Sequence, residues 1–171
     1  PVLTAPGVFS GSRLDPGTGV LLRTVPAPPT SGEVLDLGCG WGPLALSLAM
    51  LSPRSRVWAV DVNRRALDLV TRNAAGLALP GVRAVEPDEV PGELRFAALW
   101  SNPPIRVGKP ALHAMLSTWL PRLTPEGEAW LVVQRALGAD SLQSWIGEEL
   151  GLPAERVASA KGFRVLRVTQ P

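Results

Sequence analysis

The stretch that decides the fold is residues 33–42, which read Glu33-Val34-Leu35-Asp36-Leu37-Gly38-Cys39-Gly40-Trp41-Gly42. Its apolar first half predicts a short buried strand, and its glycines predict a tight turn. Residues 43–52 follow as a predicted helix of leucines and small side chains. A strand, a glycine turn and a helix in succession build the cofactor site of α/β sheets, because glycine lets the backbone approach a ligand closely.

The charge beside this turn indicates which ligand it suits. Asp36 places a carboxylate at the strand end, which suits a ligand carrying an ammonium group and would repel a pyrophosphate. Dinucleotide sites have the spacing G-x-G-x-x-G, whereas the glycines here fall at 38, 40 and 42, and the third dinucleotide position is Pro43. The pattern therefore disfavours a dinucleotide.

Size and composition predict a single globular domain. The 171 residues are enough for a real core, and the net charge of +2 indicates no large basic field. The single cysteine excludes an internal disulfide and favours a reducing compartment, and no Cys/His cluster indicates a metal. No apolar run reaches the length of about 18 residues that indicates a membrane span, and no signal-peptide pattern is present. We therefore expect a cytoplasmic protein.

Strands and helices alternate along the chain. Residues 1–32 are predicted to form an arm with one short helix, capped by Asp15, and residues 33–171 the main domain. Strands are predicted at 34–37, 56–61, 82–85, 95–100, 129–133, 156–158 and 163–168, with helices at 43–52, 64–76, 109–120 and 140–150 and a turn at 121–127. The alternation predicts a parallel sheet, while the turn Lys161-Gly162 predicts a terminal hairpin and hence one antiparallel strand.

Acidic residues follow the second and third predicted strands. Asp61 ends the second strand, where a carboxylate can accept hydrogen bonds from ribose hydroxyls. Glu86, Asp88 and Glu89 follow the third strand, and one of them could accept a hydrogen bond from an adenine amino group. For each of these three acids, a solvated acidic loop is an equally good interpretation.

The residues that decide the chemistry are Asn102-Pro103-Pro104, directly after the fourth predicted strand. Two prolines restrict the backbone. The Asn102 side chain, together with a proline carbonyl, can hold both hydrogens of an exocyclic NH₂ group and aim its lone pair. Such a site works by orientation rather than by acid–base chemistry, and no strong base stands out in the sequence.

Taken together and in this order, the motifs resemble those of class I S-adenosylmethionine-dependent methyltransferases. D-x-G-x-G-x-G from Asp36 to Gly42 is similar to motif I, and N-P-P from Asn102 to Pro104 is similar to motif IV of the amino-methylating members. The resemblance implies a Rossmann-like α/β fold with a seven-stranded, mostly parallel sheet, an antiparallel C-terminal hairpin and helices on both faces. Motif I alone would leave open a nucleotide-type turn without methyl transfer.

Two further segments resemble the "methyltransferase small" domain family of bacterial ribosomal RNA guanine-N2 methyltransferases. These are Gly7-Val8-Phe9-Ser10 with Leu14-Asp15-Pro16-Gly17-Thr18-Gly19-Val20-Leu21-Leu22, and Asn102-Pro103-Pro104-Ile105-Arg106-Val107-Gly108-Lys109, which is similar to N-P-P-F-H-x-G. The resemblance implies that S-adenosylmethionine binds to Asp36, Gly38, Cys39, Gly40, Asp61, Val62, Asp88 and Asn102. It implies that the guanine amine is held by Asn102, Pro103 and Pro104. Ribosomal RNA or a ribosomal subunit would contact Ile105, Arg106, Lys109 and Arg13. Ordinary solvated charges are the alternative interpretation of Arg13 and Arg106.

Two departures from that family leave alternatives open. Ile105 replaces an aromatic residue, whose stacking on a base is worth about 1–3 kcal/mol in nucleic-acid sites, and Arg106 replaces a histidine. A protein glutamine-N5 methyltransferase also uses N-P-P, followed by tyrosine. A non-catalytic domain that binds RNA or a partner subunit is the third interpretation.

Overall fold

Seven strands form one sheet in the computed structural model, which describes residues 1–8 and 13–171. The strands are Ser31–Leu37 (β1), Arg54–Val60 (β2), Val82–Val85 (β3), Phe96–Ser101 (β4), Leu123–Gln134 (β5), Ala154–Ala160 (β6) and Phe163–Thr169 (β7). The α-helices of this part of the chain are Pro16–Thr24 (α1), Pro43–Leu51 (α2), Arg64–Gly76 (α3), Lys109–Trp119 (α4) and Ala139–Leu150 (α5).

The strand order is β3-β2-β1-β4-β5-β7-β6. All paired neighbours from β3 to β5 are parallel, and β7 runs antiparallel to both β5 and β6. The order reverses between β1 and β4, and ligands of open α/β sheets bind at the carboxyl ends of the strands beside such a switch point. The predicted fold class, including the antiparallel hairpin, is confirmed.

Helices cover both faces because the central strands are apolar on both sides. Val34 of β1 packs with α1, α2 and α3, while its neighbour Leu35 packs with α4 and α5 on the opposite face. Both side chains are fully buried. Val20 and Leu21 of α1 belong to the first of these clusters, so the helix of the predicted arm packs directly on the sheet. The proposed division at residues 32 and 33 remains a prediction.

The predicted turn at 121–127 is wrong, because β5 already begins at Leu123. Leu123 pairs with Phe96, the ladder is then interrupted, and pairing resumes between Ala98 and Glu128. Gly127 lies in the interruption, where a Cβ would stand 2.6 Å from the Phe96 carbonyl oxygen. The Pro/Gly signal therefore marks an irregularity inside a strand instead of a loop between elements.

Candidate functional site

The glycine turn after β1 folds back onto the end of β2. The backbone N–H groups of Gly38 and Cys39 both donate to the Val60 carbonyl, at 2.8 and 3.0 Å. Gly40 and Gly42 have φ values of +55° and +99°, which glycine adopts without steric cost. At Gly42 a Cβ would also lie 2.9 Å from the side chain of Val70 on α3. Tight packing against the end of β2 and against α3 therefore shapes the turn.

Asp36 is buried beneath this turn with half of its carboxylate unsatisfied. Oδ2 accepts a hydrogen bond of 2.8 Å from the Ala45 N–H in the first turn of α2. Oδ1 is buried and has no hydrogen-bond partner among the described residues. Burial raises the pKa of Asp36 to about 8, the Ala45 hydrogen bond opposes this rise, and the nearby Asp61 charge adds to it. An unpaired buried carboxylate oxygen is a suitable partner for an ammonium group.

Asp61, at the end of β2, ties the glycine turn to the start of α3. Its Oδ2 accepts from the Gly40 N–H and its Oδ1 accepts from the Asn63 N–H, both at 2.9 Å. Each carboxylate oxygen has capacity for a further hydrogen bond. Val62 follows and is 79% exposed, so an apolar surface lies beside the carboxylate.

The three acids after β3, Glu86, Asp88 and Glu89, differ in the hydrogen bonds and ion pairs that their side chains form. Glu86 and Glu89 form a reciprocal capping box around a 3₁₀ turn, Pro87–Glu89, and Glu86 also pairs with Arg64 at 3.1 Å. Asp88 is exposed. Its side chain forms no hydrogen bond or ion pair with the other described residues. Asp88 is therefore the acid of this group with both carboxylate oxygens available to a ligand.

The Asn102 side chain is held by the N-terminus of α1. Its Nδ2 donates to Asp15 Oδ2 at 2.8 Å and to Thr18 Oγ1 at 3.1 Å. The same Asp15 oxygen accepts from the Thr18 N–H at 3.0 Å and so caps the helix. The sequence predicted the cap but gave Asp15 and Thr18 no part in the site. The one local signal was a polar Thr between two glycines of an apolar helix, at a position that is 3% exposed in the structure.

The two prolines after Asn102 hold the loop in a tight turn. Pro104 has φ −74° and ψ +79°, the conformation of an inverse γ-turn, and the Ile105 N–H accordingly donates to the Pro103 carbonyl at 2.9 Å. That carbonyl keeps one lone pair for another donor. Ile105 is half-buried, and Val107, two residues later, is 55% exposed.

Basic side chains occupy the other half of this edge of the sheet. Arg106 and Lys109 follow β4 and are exposed, and neither forms an ion pair within the described part of the chain. Arg135 follows β5, and its N–H donates to the Gly162 carbonyl at 2.8 Å, which places the exposed Lys161 beside it. Acidic side chains thus follow β2 and β3, and basic ones follow β4, β5 and β6.

One pocket lies between the glycine turn after β1 and Asn102, which follows β4. Its lining brings together five of the residues proposed from the sequence, Asp36, Gly38, Cys39, Gly40 and Asn102, and it also includes Asp15 and Thr18. The remaining predicted residues lie outside its lining, on the turns around it or beyond Asn102; these are Asp61, Val62, Asp88, Pro103, Pro104, Ile105, Arg106, Lys109 and the exposed Arg13. Phe9 and Ser10, which contribute to the family resemblance, lie outside the described residues.

Residues 1–8 and 13–171 contain neither a cluster of metal ligands nor a membrane-spanning helix. No group of three or more His, Cys, Asp or Glu side chains is placed to hold a metal ion. No helix of this part is both long and apolar enough to span a bilayer.

Known proteins match the chain over nearly its whole length. The family model of the methyltransferase small domain matches residues 1–167. The uncharacterized Bacillus subtilis protein YbxB is 35% identical over 164 residues, which cover 94% of this chain and 81% of that protein. Ribosomal RNA small subunit methyltransferase C of Pseudomonas aeruginosa is 36% identical over 169 residues, covering 96% of this chain but 49% of the relative.

A solved structure matches both the sheet and the surrounding helices. The 16S rRNA guanine-N2 methyltransferase of T. thermophilus, in complex with AdoMet and guanosine, superposes with a TM-score of 0.81 at 26% identity. The match covers 98% of this chain and 46% of that structure. The chain therefore spans about half the length of these ribosomal RNA methyltransferases.

Proposed function

The chain belongs to the methyltransferase small domain family, and on that premise we propose that it methylates the exocyclic N2 amine of a guanine in ribosomal RNA. The observation that carries the proposal is the pocket in which Asn102 faces the turn of Asp36, Gly38 and Gly40. An amine-binding amide and a cofactor-type turn are thereby brought to one place. Similarity to ribosomal RNA methyltransferases supports the choice of substrate.

The residues present fit S-adenosylmethionine. The unpaired, buried Asp36 Oδ1 suits the ammonium of its methionine part, and Gly38, Cys39 and Gly40 would lie under that part. Asp61 has capacity left for the ribose hydroxyls, and the exposed Val62 offers an apolar surface to the adenine. Asp88 would accept from the adenine amino group. When bound, the cofactor supplies a sulfonium methyl, whose transfer breaks the sulfur–methyl bond, forms the nitrogen–methyl bond and releases one amine proton.

On the substrate side, the chain acts by holding the amine. Asn102 Oδ1 and the free lone pair of the Pro103 carbonyl would accept the two amine hydrogens, and this turns the nitrogen lone pair out of conjugation. The released proton passes to solvent, so no strong base is needed. Covalent catalysis by Cys39 is disfavoured, because burial raises the pKa of its thiol well above the usual value and keeps it neutral.

An RNA substrate suits the surface beyond Asn102. A guanine amine within folded RNA must be extruded or already unpaired to enter the pocket. Ile105 and the exposed Val107 give an apolar surface against which the base can lie. Arg106 and Lys109, together with Arg13, would contact phosphates or the base, and phosphate contacts dominate nucleic-acid affinity.

The test is methyl transfer from labelled S-adenosylmethionine to total ribosomal RNA and to isolated ribosomal subunits, followed by nucleoside analysis. We expect label in N2-methylguanosine. Asn102→Ala should lower the rate by at least about a hundredfold, since orientation is lost, while the contacts of Asp36, Asp61 and Asp88 keep most of the cofactor affinity. Label in protein glutamine, or no transfer to RNA while the cofactor still binds, would overturn the proposal.

A further inference from the structure

We propose that Asp15 and Thr18 are positioning residues for the reaction, because they fix the Asn102 amide with its oxygen toward the substrate amine. The inference rests on the proposed function, in which Asn102 holds that amine. It adds residues from the N-terminal helix to a site otherwise built from the loops after β1, β2, β3 and β4.

The hydrogen-bond pattern allows a single orientation of the amide. An amide nitrogen has two hydrogens, and both have acceptors, namely Asp15 Oδ2 at 2.8 Å and Thr18 Oγ1 at 3.1 Å. A flipped amide would set its oxygen 2.8 Å from a carboxylate oxygen, and two acceptors repel at that distance. Asn102 is therefore left with Oδ1 as its free group, which is an acceptor and matches the N–H of an exocyclic amine.

The fold holds Asp15 in the position this role needs. Asp15 Oδ2 is fixed by the Thr18 N–H at 3.0 Å, and Thr18 itself is buried. Gly17 lies between them, where a Cβ would stand 2.7 Å from the Phe163 ring and 2.9 Å from Asp15 Oδ2. The start of α1 is thus packed against β7 closely enough that its cap can serve Asn102 as well as the helix.

The experiment compares substitutions at the two acceptors. Asp15→Ser keeps a helix-capping side chain but is too short to reach Asn102, and Thr18→Val keeps the shape of threonine but removes its oxygen. We expect Asp15→Ser to lower kcat for N2-methylguanosine formation by about tenfold to a hundredfold, and Thr18→Val by about threefold to tenfold, as for lost charged and neutral hydrogen bonds. The dissociation constant of S-adenosylmethionine should change less than about twofold in both variants, since the hydrogen bonds that are removed go to Asn102, which holds the substrate amine in the proposed function.

Conservative variants and a matched control separate positioning from helix stability. Asp15→Asn and Thr18→Ser each keep an oxygen at the required place and should stay within about threefold of the unchanged protein. Thr24→Val removes a hydroxyl from the same helix, where it bonds the Val20 carbonyl at 2.8 Å, and should leave kcat unchanged. Melting temperatures are measured for every variant.

The outcomes distinguish this inference from the proposed function. Unchanged kcat in Asp15→Ser and Thr18→Val, with Asn102→Ala inactive, would refute the positioning role and leave the function standing. Equal losses in Thr18→Val and Thr24→Val, or a loss of cofactor affinity that matches the loss of kcat, would also refute it. Absence of N2-methylguanosine with the unchanged protein would instead remove the proposed function.

Discussion

The pH dependence of cofactor binding follows directly from the buried Asp36. In the free protein the pKa of Asp36 is about 8, so at pH 7 most molecules carry a protonated, neutral side chain. An ammonium group beside Oδ1 needs the charged carboxylate, and binding must therefore release that proton. The free-energy cost of deprotonation at pH 7 is about 1.4 kcal/mol, the value of one pH unit. The dissociation constant of S-adenosylmethionine should thus fall nearly tenfold between pH 6 and pH 7.

The rise in affinity should level off near pH 8, where about half of the Asp36 side chains are charged and the ligand α-amine, with an ordinary pKa of about 7.7–8.0, has already lost about half of its protons. Calorimetry at pH 7 in buffers of different ionisation enthalpy should show nearly one proton released per cofactor bound. The control ligand is 5′-methylthioadenosine, which lacks the ammonium group and should bind independently of pH over this range. A flat profile from pH 6 to 8, or the same proton release with the control ligand, would show that Asp36 does not meet the ammonium.

Further predictions concern stability and the two halves of the site. The raised pKa of Asp36 means that its stabilising contribution is present below pH 4 and is lost as pH rises through about 8, so Asp36→Asn should raise the melting temperature of the free protein at pH 9 and weaken cofactor binding. Asp61→Asn should weaken cofactor affinity by about tenfold in calorimetric titrations, as for a lost charge-assisted hydrogen bond, and full affinity would exclude a ribose contact. Arg106→Glu should weaken RNA binding and reduce its salt dependence in titrations at several salt concentrations, while Arg54→Glu, at the opposite edge of the sheet, should do neither; equal effects would exclude a local RNA surface. Gly42→Ala should destabilise the protein by about 1–3 kcal/mol in denaturant unfolding because of its positive φ, whereas Gly147→Ala, in open space on α5, should stabilise it by about 0.5–1 kcal/mol.

The sequence predicts the sheet well because its central strands are buried on both faces. Continuous apolar runs such as Val57 to Val60 then have a strong local signal. The start of β5 could not be predicted in this way, since Pro125 and Gly127 give a local turn signal while pairing with β4 decides the outcome. Tertiary pairing overrides local preference in such places.

In the candidate site, too, local motifs can be recognised in the sequence, whereas contacts between distant residues cannot. Asp36 and Asn102 could be proposed from the sequence because each lies in a short motif, Asp36 near the end of β1 and Asn102 directly after β4. The contact between Asn102 and Asp15 joins residues 87 positions apart, and no local pattern encodes it. The sequence could not distinguish the three acids after β3, because a capping box that begins with Glu86 lacks the usual serine or threonine. That box occupies the side chains of Glu86 and Glu89 and leaves Asp88 outside it.

The contact between Asp15 and Asn102 also means that one half of the site depends on α1 and the other half does not. The acidic half, from Asp36 to Asp88, is one continuous piece of chain, whereas the amide acquires its orientation only when α1 is docked. Local opening of α1 would therefore leave the carboxylates in place and free the amide to rotate. Native-state hydrogen exchange detects openings of this kind. Exchange at the Thr18 N–H would then report how often the protein holds a cofactor site without a competent amine site.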